Sequence, residues 1–121
     1  MRPWTMTALL VALTGCDRPA ADQGPPAMPQ AEKDRAVEIC KSYVARLCAC
    51  ADADATLRDQ CDLARAQPEA VDMHLAILAG KGPKGPLGTE ERGLMEASLR
   101  KVVAACVRGD AALDPHKCPR K

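Results

Sequence analysis

Cysteine is the residue type with which this sequence could most readily do chemistry. The chain of 121 residues contains seven cysteines, but no phenylalanine, one tyrosine and one tryptophan. Cysteines at this density form disulfides, bind metal ions or carry out thiol–disulfide exchange. Cys16 stands apart from the other six, which are Cys40, Cys48, Cys50, Cys61, Cys106 and Cys118.

The residues before Cys16 have the composition of an export signal. Arg2 is followed by a short apolar run, and small residues precede the cysteine. This is the order of a secretory signal peptide, and the run is too short to span a membrane as a helix. Leu13-Thr14-Gly15-Cys16 resembles the lipobox of bacterial lipoproteins. The resemblance implies that residues 1–15 are a signal peptide removed before Cys16. It also implies a diacylglyceryl group on the Cys16 thiol and an acyl chain such as palmitate on its amine.

Residues 16–30 predict a lipidated cysteine followed by a disordered tether. Four prolines among residues 17–30 disfavour both helix and sheet, so Met28 is expected to be exposed to solvent. Without residues 1–15 the acidic and basic residues are equal in number, so charge should add little to membrane binding and the acyl chains must provide it. Asp17 resembles the inner-membrane retention signal of enteric bacteria, a rule that varies among bacteria, so either membrane stays open.

The six later cysteines predict three disulfides. An even number of cysteines in an exported domain is typical of a disulfide framework. Cys48 and Cys50 would point in different directions on one helix, so they should have different partners. Their positions favour links from the first helix to Cys61, and to Cys106 and Cys118 near the end of the chain, but the sequence alone does not choose the pairs.

Two other uses of these cysteines are weaker. Cys48-Ala49-Cys50 could exchange disulfides, but it lies at the predicted C-terminal end of a helix, where the helix dipole disfavours a thiolate. Cys48, Cys50 and Cys61 could instead bind zinc or copper(I), with His74 or His116 nearby, because thiolates suit such metals. The Cys-x-x-Cys pairs typical of zinc sites are missing, so we predict no metal or cofactor.

Apolar residues at three- and four-residue spacing predict an all-α domain over residues 31–121. Asp52 or Asp54 could cap the second helix, and Thr89 offers an N-cap for the fourth. The last helix should end near Gly109, followed by an irregular tail. Together the pattern predicts a small, disulfide-stapled bundle of about four helices. They cover about residues 31–48, 55–67, 68–80 and 89–109.

No combination of residues predicts an enzyme. Ser42 and Ser98 lie in predicted helices, without the Gly-x-Ser-x-Gly turn of serine hydrolases. The segment from Gly80 to Gly85 lacks the Gly-Lys-Ser/Thr ending of a phosphate-binding loop. His74 is expected at a helix interface and His116 in solvent. The 17 basic and 16 acidic residues nearly cancel, which argues against nucleic-acid binding.

These features predict a lipid-anchored protein on the periplasmic side of the bacterial cell envelope, with a helical interaction or structural module. In layout it is similar to short, cysteine-containing bacterial lipoproteins, a resemblance that implies no activity. Its expected partners are membrane lipid, through acylated Cys16, and an envelope protein. The alternative is a periplasmic metal-binding or metal-delivery protein that uses Cys48, Cys50 and Cys61. A third, weaker interpretation is an inhibitor of an envelope hydrolase, because a rigid stapled domain is preorganised for binding.

Overall fold

The computed structural model describes residues 27–120, which form helices joined by short turns, without a β-strand in that range. The predicted all-α class of the domain is therefore confirmed. The predicted signal peptide, Cys16 and the predicted tether up to residue 26 lie outside the described residues. No helix within 27–120 is long and apolar enough to cross a membrane. The helices are α1 (Gln30–Ala53), α2 (Arg58–Ala64), α3 (Ala66–Leu78) and α4 (Thr89–Ala112), with a 3-10 turn at Ala55–Leu57.

Three helices of 13 to 24 residues build the bundle, rather than the predicted number of about four. Helices α1 and α4 have 24 residues each and α3 has 13, whereas α2 has only seven. The predicted second helix is divided because the Asp54 side chain accepts a hydrogen bond from the Thr56 amide and starts a 3-10 turn before α2. Pro68 is the third residue of α3, and the proline is tolerated there because first-turn amides have no acceptor within the helix.

Helices α1 and α4 run parallel to each other. Paired residues advance together along both helices, so their separation in sequence stays nearly constant, as it does only between parallel segments. From one end of the bundle to the other, the pairs Met28–Glu96, Glu32–Arg100, Cys40–Cys106 and Arg46–Asp110 have separations of 68, 68, 66 and 64.

Helix α3 runs antiparallel to α4, and the loop of residues 79–88 connects the two helices. Gln67, early in α3, lies beside Cys106, late in α4, and His74 contacts Ser98. Helix α3 ends at Leu78, two residues before the predicted end at Gly80, which adopts a left-handed φ of 78°. The bundle is therefore up–down–up, with α3 packed on one side of the parallel α1/α4 pair.

Small and medium side chains fill the core. Tyr43 is the only aromatic residue among the described ones, and α1 and α4 contribute most of the rest. Fully enclosed side chains include Leu47, Val71 and Leu99, together with the sulfurs of Cys40 and Cys106. Covalent bonds therefore form part of the core itself.

The ends of the helices differ from the sequence expectations. Helix α1 continues to Ala53, well beyond the expected residue 48. Gly88, not Thr89, is the residue preceding α4, and no side chain caps that helix. Helix α4 passes through Gly109 and ends at Ala112, after which Leu113 is buried against the bundle.

Met28 corrects the prediction of a solvated tether up to residue 30. Its side chain is only 4% exposed, and its amide donates a hydrogen bond to Oε1 of Glu96 at 3.0 Å. The Pro29 carbonyl accepts from the amides of Glu32 and Lys33, so the chain is held from Met28 into the first turn of α1. Apolar contact with α4 explains the burial, which proline content alone did not reveal.

Candidate functional site

The six cysteines of the domain form three disulfides, and α1 contributes one cysteine to each. This confirms the predicted number of bonds and the expectation that Cys48 and Cys50 have different partners. The bonds join α1 to α4, to α2 and to the segment after α4, through Cys40–Cys106, Cys48–Cys61 and Cys50–Cys118. Helix α1 is thus the element to which the rest of the domain is fastened.

The same pairing places the three alternative metal ligands in two different disulfides. Cys48 is bonded to Cys61, and Cys50 is bonded to Cys118, so none of the three sulfurs is a thiolate. Within residues 27–120, no group of three or more histidine, cysteine or acidic residues is arranged to hold a metal ion. Metal binding by this set would first require the reduction of two bonds.

His74 lies at the α3–α4 interface, as the sequence predicted. Its Nδ1 bonds to the carbonyl of Ala70, which can only accept, so Nδ1 carries the proton. In the neutral ring Nε2 is then the acceptor, and the Ser98 hydroxyl 2.9 Å away donates to it. Nδ1 is therefore used within α3, and Nε2 joins α3 to α4. His116, as expected, lies in an exposed turn.

Arg46 fixes the segment after α4, a role that sequence reasoning missed. Its side chain is 11% exposed and donates from Nε to the Cys118 carbonyl at 2.8 Å. The Nη1 group donates to Asp110 Oδ1 at 2.9 Å, while Arg120 contacts the other carboxylate oxygen of Asp110 at 2.9 Å. The signal for this role was the position of an arginine next to the apolar stripe of α1, beside Leu47 and Cys50.

A groove of about 650 Å³ lies next to this network. It lies between the second half of α1 and the chain after α4, and the Cys50–Cys118 disulfide forms part of its wall. Arg46, Lys117 and Arg120 give it a basic character that Asp110 offsets only in part. Arg46 and Arg120 are both bonded to Asp110, so Asp110 partly neutralises these two charges.

A second cavity of about 370 Å³ lies between α1 and α4, on the side opposite α3; we name it the α1/α4 groove. Its floor is apolar and includes Ile39, Val103 and Val107, the last of which is 49% exposed. Three arginines line it, Arg35 on α1 and Arg100 and Arg108 on α4. The groove thus combines an open apolar floor with positive charge on both sides.

The charged residues of the α1/α4 groove differ in how they are paired. Arg100 donates to Glu32 from Nε at 2.8 Å and from Nη2 at 3.3 Å. The hydrogen bond from Arg100 lowers the pKa of Glu32 below its ordinary value of 4.5. Arg35 and Arg108 take part in none of the ion pairs found within residues 27–120. These two arginines leave the groove with uncompensated positive charge.

A third cavity of about 370 Å³ lies where the 79–88 loop meets α4. Its lining is largely apolar and includes Ile77, Leu87 and Met95, with the exposed Leu94 at its edge.

Comparison with family models, curated proteins and solved structures found no match to this chain. The functional proposal therefore depends on the chain's own residues.

Proposed function

We propose that this protein is a bacterial lipoprotein whose small helical domain is an interaction module held at a membrane of the cell envelope. The observation that carries the proposal is how the seven cysteines are used. Six of them pair with one another, and the seventh is Cys16. Cys16 is also the residue that ends the lipobox-like Leu13-Thr14-Gly15-Cys16. A thiol in this position is the one to which lipid would be attached.

The disulfides support an exported location for the domain. Disulfides persist in oxidising compartments such as the periplasm and are rare in the reducing cytosol. Cys40–Cys106 and Cys50–Cys118 close long stretches of chain, with separations of 66 and 68 residues. Bonds of this kind typically contribute about 2–4 kcal/mol each to the stability of a domain with a small apolar core.

The acyl chains, rather than the net charge of the domain, would hold the protein at the membrane. Residues 27–120 contain equal numbers of acidic and basic side chains. One acyl chain alone gives only marginal membrane binding, whereas several together anchor firmly. The burial of Met28 shortens the tether, which would extend from Cys16 to Ala27.

The domain favours binding over catalysis. Both ring nitrogens of His74 are used by hydrogen bonds, one within α3 and one to α4, and the six sulfurs are used by disulfides. What the surface offers instead is an apolar groove with positive charge, and exposed apolar side chains such as Leu63 and Leu94. A rigid surface of this type binds another macromolecule at little conformational cost.

Metabolic labelling and membrane flotation test the proposal. Cells that express the full chain would be grown with radioactive palmitate, and their membranes floated on a density gradient. We expect the protein to carry label and to float, and Cys16→Ser to lose both properties. Ala20→Ser, a change within the tether, is the matched control and should behave as the unaltered chain does. Label that survives in Cys16→Ser, or an unaltered chain that stays soluble and unlabelled, would contradict the proposal.

A further inference from the structure

Helix α3 carries an acidic, partly apolar surface on the side that faces away from the bundle. Val71 and His74 point inward, where Val71 is fully buried. Glu69, Asp72 and Met73 lie on the opposite side, and Met73 is 57% exposed. We name these three residues the outer face of α3. An apolar side chain flanked by two carboxylates is the chemical complement of the α1/α4 groove.

Charge is divided between the two sides of the molecule although the described range is neutral as a whole. The stretch of residues 52–72, which includes α2 and about the first half of α3, contains six acidic and two basic residues. The remaining described residues carry the compensating positive charge, which includes Arg35, Arg100 and Arg108 around the groove. Since α3 packs on the side of α1 and α4 opposite this groove, acidic and basic surfaces face in opposite directions.

The acidic residues of the outer face of α3 lie at the same heights along the bundle axis as arginines of the α1/α4 groove. His74 contacts Ser98, so Asp72, two residues earlier in antiparallel α3, lies near the height of Arg100. Arg100 in turn contacts Glu32 on α1, and Arg35 lies about 4.5 Å further along α1, because a helix rises about 1.5 Å per residue. Glu69 lies an equal distance from Asp72 in the same direction. Glu69 is therefore near the height of Arg35.

The geometry points to self-association in which the outer face of α3 of one copy enters the α1/α4 groove of the next. Two copies side by side, in the same orientation and at the same height, would bring Glu69 towards Arg35 and Asp72 towards Arg100. Helix α3 of the neighbour would be antiparallel to α1 and α4, as the molecule's own α3 is, and would complete a four-helix arrangement. This inference rests on the proposed function, because anchors in one membrane confine all copies to one surface and direct the start of each domain towards it.

Symmetric pairing fits these surfaces less well. A groove-to-groove dimer would bring together the arginines of both copies, and a dimer through α3 would bring together the carboxylates, both of which are repulsive. The contact between α3 and the groove is head-to-tail. In a pair of copies, one copy therefore still has an unused groove, and the other still has an unused outer face of α3. The expected assembly is therefore a row or a ring in the plane of the membrane.

Association in solution should be weak, because exposed ion pairs each contribute only about 0–1 kcal/mol. Confinement to a membrane removes part of the translational and rotational freedom that association would otherwise cost, and it raises the effective concentration. The contact is thus suited to proteins that share a surface.

Cross-linking between isotopically distinct copies tests the proposal. Full-length Arg35→Lys protein, unlabelled and ¹⁵N-labelled, is mixed in vesicles of phosphatidylethanolamine and phosphatidylglycerol and treated with a carbodiimide, which joins amines to carboxylates. We expect peptides of mixed isotope content that join residue 35 to Glu69 or Asp72. Arg92→Lys, a matched change on α4 outside the groove, should give no mixed product that joins residue 92 to Glu69 or Asp72. Mixed products at other sites only, or none, would overturn the proposal.

Charge exchange gives a second readout. Glu69→Arg in the Arg35→Lys chain should reduce the mixed products at least fivefold, whereas Glu90→Arg, in the first turn of α4, should leave them unchanged. Separately, in the chain with Arg35 in place, Glu69→Arg should weaken association on vesicles, measured as energy transfer between labelled copies. Adding Arg35→Glu should restore it. Failure of the exchange to restore association would contradict the assigned contact.

The outcomes separate this inference from the function on which it rests. A protein that floats with vesicles but gives no mixed product would refute the self-association and leave the lipoprotein proposal intact. A protein that does not float but associates at high concentration in sedimentation equilibrium would refute the lipid anchor alone. In the Arg35→Lys protein, phosphatidylglycerol could protect residue 35 from acetylation while no mixed products form. That result would show that the groove binds lipid, and the self-association proposal would be wrong.

Discussion

The ring of Tyr43, on α1, lies directly against Gly109 of α4. A Cβ atom on residue 109 would be 2.5 Å from Cζ and 2.6 Å from the hydroxyl oxygen of Tyr43. Tyr43 is only 5% exposed, so its ring has little room to move aside. Gly109 is therefore present inside a helix because it makes room for the aromatic ring, and not because it ends the helix.

Gly109→Ala should consequently destabilise the domain, although alanine is the better helix former. Overpacking typically costs about 1–3 kcal/mol, while replacing a helical glycine by alanine gains about 1 kcal/mol, so we expect a small net loss. Gly93→Ala is the matched control in the same helix, because nothing lies within 4 Å of a Cβ there. It should stabilise. Urea unfolding would measure both variants, and a stabilised Gly109→Ala would contradict the contact.

The Met28–Glu96 hydrogen bond should determine whether the start of the domain is ordered. Glu96→Ala removes the acceptor and leaves the buried Met28 amide unpaired, at a cost of about 1–3 kcal/mol. Glu96→Gln keeps a side-chain oxygen at the same position and should be milder. Amide hydrogen exchange at Met28 measures the effect directly. Equal protection of Met28 in both variants would show that the hydrogen bond is not what holds this segment.

Removal of the buried disulfide should cost more than removal of the short-range one. Both cysteines of Cys40–Cys106 are fully buried, and their separation is 66 residues, against 13 for Cys48–Cys61. Replacing the first pair by alanine therefore leaves a core cavity and frees a longer loop. We expect a loss larger by about 1–3 kcal/mol than for the second pair. Thermal unfolding of the two double variants measures both losses of stability, and equal losses would contradict this ranking.

The Glu32–Arg100 ion pair should make stability depend on acid pH. The pKa of Glu32 is lowered in the folded protein, so the contribution of the pair is present above the ordinary pKa of 4.5 and disappears as pH falls through the lower folded value. Arg100→Met should raise the pKa of Glu32 and flatten the acid dependence below about pH 5. Thr56→Val, which removes a hydrogen bond to Asp54, should leave the titration of Glu32 unchanged. An NMR titration of the Glu32 carboxyl group checks both.

Much of the helical architecture could be predicted because apolar spacing reports which side of a helix is buried. The spacing of Cys48 and Cys50 also predicted that they have different partners. The parallel arrangement of α1 and α4 could not be predicted, because it depends on how the short α2 segment turns the chain. The packing of Met28 was missed because the neighbouring prolines conceal one apolar contact, and Gly109 was misinterpreted because its reason lies on another helix.

The groove residues were not predicted for a related reason. Arg35 and Arg108 are 73 positions apart in the sequence, and each alone resembles an ordinary solvated charge on a helix. Only the parallel packing of α1 and α4 brings them to one groove. The prediction that Cys16 carries lipid, in contrast, depends on a local sequence pattern that needs no fold.

The most direct test of the lipoprotein proposal is the intact mass of the protein extracted from membranes, after thiol alkylation without reduction. We expect a chain that begins at Cys16, carries the mass of its acyl groups and contains no alkylated cysteine. A chain that retains residues 1–15, or a mature chain without lipid and with an alkylated Cys16, would contradict it.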